Sequence, residues 1–119
     1  MQTFLDSYIA TAIWSSLDDA GIPLDDAKYA DVELSAATRA AMSADCAAFL
    51  ERATPIIQGF PAEYPDSQLG RDFWLTRNRH GSGFWDGDYP KLLGEKLTVT
   101  AHSFGECNLY VENGLIEIL

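Results

Sequence analysis

Basic residues are scarce in this chain. Eight Lys and Arg face eighteen Asp and Glu over 119 residues, a formal net charge of −10 with His neutral. A protein that grips a phosphate backbone needs clustered Lys and Arg, so the chain as a whole repels nucleic acid. The same charge suits a basic partner surface. Cysteine is nearly missing too. Cys46 and Cys107 stand far apart with no CxxC spacing, which makes no disulfide framework and points to reduced, buried thiols. No apolar run approaches the roughly 18 residues that cross a bilayer. The N-terminal MQTFLDSYIATAIWSSLDDAG is apolar in part, but it lacks a basic n-region and carries Asp6, so it does not read as a signal peptide. The expectation is a soluble cytoplasmic protein without membrane association.

What the chain does hold is apolar mass. A hydrophobic fraction of 47% with 12% aromatics is ample for a packed interior, and this length suits one domain over residues 1–119. Leu5, Tyr8, Ile9, Ala12, Ile13 and Ser16 or Leu17 recur at helical spacing. They predict a first helix, with Thr3 as N-cap and Asp18-Asp19-Ala20-Gly21 before Pro23 as its stop. Residues 21–33 read as loop with a short helical turn at most. Leu34, Thr38, Ala41, Met42, Cys46, Phe49, Leu50 and Ala53 form the stripe of a second helix, capped by Ser35 and ended or kinked at Pro55. These make residues 1–58 a helical part.

The segment 70–119 reads as hairpin, helix, hairpin. Lys91 to about Phe104 carries the stripe of a third helix, with Gly105 where a left-handed cap belongs. The tail NLYVENGLIEIL surrounds Asn113-Gly114, the preferred pair of a type I′ turn. In GRDFWLTRNRHGSGFWD (70–86), Phe73, Leu75 and Arg77 alternate with Trp74, Thr76 and Asn78. A hairpin turning at Asn78–Gly81 is preferred there over a helix from Ser67 to Arg77 stopped by Gly81. The fold class expected is therefore α+β, two or three helices packed on an antiparallel sheet of three to four strands.

The run DFWLTRNRHGSGFWD, with KLLGEKLTVTAHSFGECNLYVENGLI after it, resembles a module of small uncharacterised bacteriophage and mobile-element proteins. There the pattern DFWLTRNxHGxGFWD precedes a helix and an acidic Leu-Tyr-Val strand. The resemblance spans about residues 70–116. It implies a mobile-element context, with the host-cell cytoplasm as the expected location, and it does not imply an activity.

Each chemical motif competes with a plainer use. His80 could act as a general base, with Arg77 or Arg79 as an anion clamp. Without a nucleophile or metal partner, a polar hairpin tip is the better reading, its Arg side chains paired to Asp72 or Asp86. His80-Gly81-Ser82-Gly83 is not a nucleophile elbow. Asp86-Gly87-Asp88 opens like a calcium loop, yet Lys91 and Leu97 stand where that loop needs Gly and Glu. Cys46, His80, His102 and Cys107 lack the spacing of a zinc site. No catalytic residue, cofactor or metal is expected.

Two binding readings remain. The first 33 residues set Asp6, Asp18, Asp19, Asp25, Asp26, Asp31 and Glu33 against a single Lys28. The plain use is a solvated acidic face. The functional one is a surface that imitates phosphates and occupies a basic groove of a host protein, with Asp18, Asp19, Asp25, Asp26, Asp31 and Glu33 in contact. The leading expectation is thus a non-enzymatic inhibitor of a basic host protein, most concretely an anti-CRISPR or anti-restriction protein. The alternative is an accessory protein binding single-stranded nucleic acid through Trp74, Arg77, Arg79, His80 and Trp85. Residues 71–79 hold three Arg against one Asp, which favours phosphate locally, although the remaining chain opposes it. Core burial is the competing use of Phe73, Trp74, Phe84 and Trp85, and at least two of the four are expected inside.

Overall fold

The computed structural model describes residues 1–119 and contains, in chain order, α1 (Gln2–Ser15), a 3-10 turn (Ala27–Tyr29), β1 (Glu33–Leu34), α2 (Ala36–Gln58), α3 (Asp66–Arg77), α4 (Lys91–His102), β2 (Leu109–Glu112) and β3 (Leu115–Ile118). Ser35 starts α2 by accepting the Thr38 N–H at 3.1 Å, the role its position predicts. Pro55 does not end that helix, which continues to Gln58. Asn113 and Gly114 both take positive φ, 53° and 76°, the type I′ turn that joins β2 to β3.

The α+β class holds, with four helices rather than two or three. The sheet has three strands in the order β1-β3-β2. Its β2–β3 pair is antiparallel, but β1 runs parallel to β3, pairing Glu33 with Leu115 and Leu34 with Ile116. The sheet is therefore mixed. β1 is two residues long and leads straight into α2, too short for any alternation to mark it.

The largest departure lies at 70–86. This segment is no hairpin: α3 occupies Asp66–Arg77, and an irregular loop follows to Pro90. Residues 72–77 are all buried, so the second half of α3 has no polar face and no 3.6-residue pattern to show. Its end explains the rest. The His80 N–H reaches the Leu75 carbonyl at 2.9 Å, and the Arg79 N–H reaches that of Thr76 at 3.0 Å. That is a Schellman closure. The left-handed position it needs is filled by Arg79, at φ 57°, and not by Gly81.

α3 is the axis of the molecule. α1 lies close along it, since Gly70 leaves no room for a Cβ beside the Phe4 carbonyl. The Phe73 ring stacks on Phe49 of α2 at 4.1 Å and 15°, and on Tyr8 of α1 at 5.2 Å. Both halves of the chain feed one core, including Leu93 and Leu97 of α4, Leu109 of β2 and Ile116 of β3. Of the four aromatics at 73–85, Phe73, Trp74 and Phe84 are buried. Trp85 is 55% exposed, held out while its neighbour Phe84 points inward.

The two Trp residues should respond oppositely to truncation. Trp74, whose Nε1 donates to Ser15 Oγ at 2.8 Å, should cost about 3–5 kcal/mol in Trp74→Ala. Trp85→Ala should change stability by less than about 0.5 kcal/mol. Urea unfolding of both variants against wild type measures the contrast; equal losses would contradict this packing.

Candidate functional site

The acidic segment after α1 is folded by one of its own carboxylates. Asp18 begins the turn Asp18-Asp19-Ala20-Gly21, where the Gly21 N–H donates to the Asp18 carbonyl at 2.9 Å. Asp at the first position and Gly at the fourth is the signature of such a turn. Asp18 Oδ1 accepts from the N–H groups of Ala20 at 2.9 Å and Ile22 at 2.8 Å. Oδ2 accepts from the Tyr29 hydroxyl at 2.5 Å and from Lys28 Nζ at 3.3 Å. The Tyr29 hydrogen bond, then that from Ile22, holds the Asp18 pKa down at about 2 against an ordinary 3.8. A bridge between Leu17 and Pro23 and a bond from Leu24 N–H to the Ser16 carbonyl complete the fold of this loop.

The six acidic residues therefore do three jobs. Asp18, 15% exposed at its side chain, is a structural hub. Asp26 is exposed, but its carboxylate caps the 3-10 turn by accepting the Lys28 N–H at 3.0 Å. Asp19, Asp25, Asp31 and Glu33 are exposed on the same segment, Glu33 at the sheet edge in β1. Between this loop and β2 lies a cleft of about 410 Å³, walled by Leu17, Leu24, Tyr29 and Tyr110 with Asp19 at its rim. Tyr29 and Tyr110 were not foreseen as site residues; the turn signature at Asp18–Gly21 was the available clue that this loop is ordered.

The aromatic–Arg constellation is taken apart by the fold. Trp74 is 2% exposed and Arg77 4%. Arg79, His80 and Trp85 stand exposed beyond the end of α3, and Trp74 meets His80 only along the wall of a small cleft. Arg77 is not free for a phosphate, and Arg71 is partly committed. Arg71 Nε pairs with the buried Asp72 at 3.2 Å, and Asp72 also accepts the Tyr89 hydroxyl at 2.7 Å. Arg77 spends every donor nitrogen inside. Its Nη1 meets Asp45 at 2.8 Å and the Tyr8 hydroxyl at 3.0 Å; Nε and Nη2 reach the carbonyls of Gly105 and Phe104. Burial opposes its charge, but the surrounding Tyr8 and Asp45 oxygens outweigh that and raise its pKa. The five hairpin-site residues do not form one surface, because α3 turns Trp74 and Arg77 toward the core.

His80 borders a smaller cleft of about 240 Å³ with Ser15, Trp74, Asn78 and Cys107. Asn78 is committed there, its amide donating to the Trp74 carbonyl and its oxygen accepting from the Cys107 N–H at 2.8 Å. Burial pushes the Cys46 thiol up to about 12 and also raises Cys107. Burial thus disfavours the thiolate form of both. His102 is half-buried on α4. No group of three His, Cys, Asp or Glu side chains converges on one point, and no helix is long and apolar enough to cross a membrane.

Two measurements test this arrangement. Arg77→Ala should destabilise the fold by about 3–5 kcal/mol, because Asp45, Tyr8 and two carbonyls lose their donor. Arg77→Lys should recover only part of that loss, since an ammonium cannot span the fork. The second concerns pH. A depressed pKa in the folded state means that Asp18 stabilises its loop fully above 3.8 and stops doing so as pH falls through about 2. The amide resonances of Ala20 and Ile22 should titrate near that lower value; a midpoint near 4 would remove Asp18 as the hub. No family model, curated protein or solved structure matches this chain.

Proposed function

We propose that this protein acts by binding, as an acidic, non-enzymatic inhibitor of a basic host protein. A phosphate-imitating surface directed at a nucleic-acid-binding defence protein, such as a CRISPR or restriction component, is the most concrete form. The carrying observation is how charge is distributed between interior and surface. Four cations are used in ion pairs, Lys28, Arg71, Arg77 and Lys91. Two of these, Arg71 and Arg77, belong to the three Arg that made the 71–79 segment look basic. Fourteen of the eighteen carboxylates are left without a cationic partner, since those pairs engage only Asp18, Asp45, Asp72 and Glu95. Within the first 33 residues Lys28 is held by Asp18, so Asp19, Asp25, Asp31 and Glu33 present an uncompensated field.

Such a surface accelerates encounter with a basic groove and sets orientation more than it adds affinity. The mobile-element resemblance supports the choice of a host defence protein as target. The nucleic-acid reading loses its two central residues to the core, which leaves Arg79, His80 and Trp85 facing a strongly negative domain.

Charge reversal of Asp19, Asp25, Asp31 and Glu33 together should slow association with a captured host protein about tenfold, with dissociation and folding unchanged. Wild-type binding should weaken steeply between low and physiological salt, because exposed charges are screened over about 8–10 Å. A gel-shift titration with single-stranded DNA at low salt should show no complex. Tight direct binding there would falsify the inhibitor reading and favour the nucleic-acid one.

A further inference from the structure

From the pairing of the sheet and the cleft beside it, we infer that the free edge of β2 takes up an extended basic segment of the partner protein as an additional strand. The charge of that segment rests on the acidic-surface reading above; the strand geometry does not.

The register decides which backbone groups are free. The type I′ turn makes Glu112 and Leu115 a hydrogen-bonded pair, and such pairs alternate with non-bonded ones along an antiparallel ladder. Tyr110 and Glu117 are then the next bonded pair, while Val111–Ile116 and Leu109–Ile118 are non-bonded. Two further bonds agree with this phase. The Leu119 N–H donates to the Asn108 carbonyl at 2.9 Å, and the Ile116 carbonyl faces β1, accepting from the Ser35 N–H at 3.1 Å. The N–H and C=O groups of Leu109 and Val111 consequently point away from β3, at the sheet edge that β1 does not occupy. No other backbone or side-chain group bonds to them.

Leu109, Tyr110 and Val111 form one side of the 410 Å³ cleft. The opposite side is the loop closed by Asp18, so the slot is preformed and an entering strand orders little else. Tyr110 and Leu17 are 37% and 58% exposed at its mouth, offering apolar area to alternate side chains of a strand. Edge strands are ordinarily protected by Lys, Pro or a bulge. β2, reading Leu-Tyr-Val-Glu, has none of these. Its one charge, Glu112, and the cleft acids Asp18 and Asp19 against Lys28 leave the slot negative. That disfavours a second copy of this chain, itself at −10, and matches a strand bearing Lys or Arg.

The test uses the full chain and a labelled hexapeptide alternating lysine and valine, with versions N-methylated on one backbone edge or the other. Methylation of one edge should weaken binding about tenfold or more, through loss of two or three backbone hydrogen bonds, and methylation of the other edge should not. Bound peptide should slow amide exchange at Leu109 and Val111 and leave Tyr110 unchanged, since its N–H is already paired to β3. Val111→Pro, at a position whose N–H serves no internal bond, should abolish the edge preference. Salt-sensitive binding that ignores both methylations and protects neither amide overturns strand addition while leaving the acidic-surface reading in place. Edge-specific binding that survives reversal of Asp19, Asp25, Asp31 and Glu33 supports strand addition and removes that reading. Failure of the peptide to bind at millimolar concentration also overturns the inference.

Discussion

One guanidinium ties this fold together. Arg77, at the last turn of α3, bonds to Tyr8 of α1, to Asp45 of α2 and to the carbonyls of Phe104 and Gly105 just after α4. A buried cation is tolerable only when its partners replace its lost water, and Arg supplies donors in a planar fork that several acceptors can share. The rings of Phe73 and Phe104 lie 5.5 and 5.8 Å from its carbon and add cation–π attraction. Three helices and the approach to the sheet are thus oriented from a single side chain. The last turns of α3, residues 72–77, are buried, which places Arg77 within reach of all of these partners.

The surface follows from that interior. Arg77 and the Nε of Arg71 turn toward Asp45 and Asp72, and so part of the charge in the stretch richest in cations is matched inside the fold. The acidic loop is shaped by the same economy on a smaller scale. Asp18 gathers two backbone amides, a phenol and an ammonium, which fixes the loop and leaves its neighbours to face solvent. A rigid acidic wall then stands across from an unprotected strand edge. Burial, turn chemistry and sheet register, each decided locally, meet at the cleft between Tyr29 and Tyr110.

Much of this was legible from residue order where chemistry acts over a few positions. The Ser35 cap, the Ala-rich α2, the Gly105 termination near α4 and the Asn-Gly turn all depend on neighbours within about four residues, and each lies where the pattern puts it. At 70–86 the residue pattern favours a hairpin over the helix from Ser67 to Arg77, which is close to α3 as found, for a definite reason. Periodicity reports a boundary between core and water, and residues 72–77 have none; alternation of aromatic with polar residues there mimicked a strand. The helix end was hidden as well, because Arg79 took a backbone conformation that glycine would have advertised.

The division between the two sources of information is physical. Amino-acid order by itself determined the α+β class, the negative charge, three of the four helices and the closing hairpin, since propensity, capping and turn geometry are short-range. Tertiary structure alone decided that α3 exists, that β1 joins the sheet in parallel, that Asp18 is the hub of its loop, and that Trp74 and Arg77 are interior while Trp85 is not. Those outcomes depend on which distant groups arrive as partners: Asp45 lies 32 residues from Arg77 and Tyr8 lies 69. A polar side chain becomes a core residue only when such partners replace water, and no short window of sequence contains them.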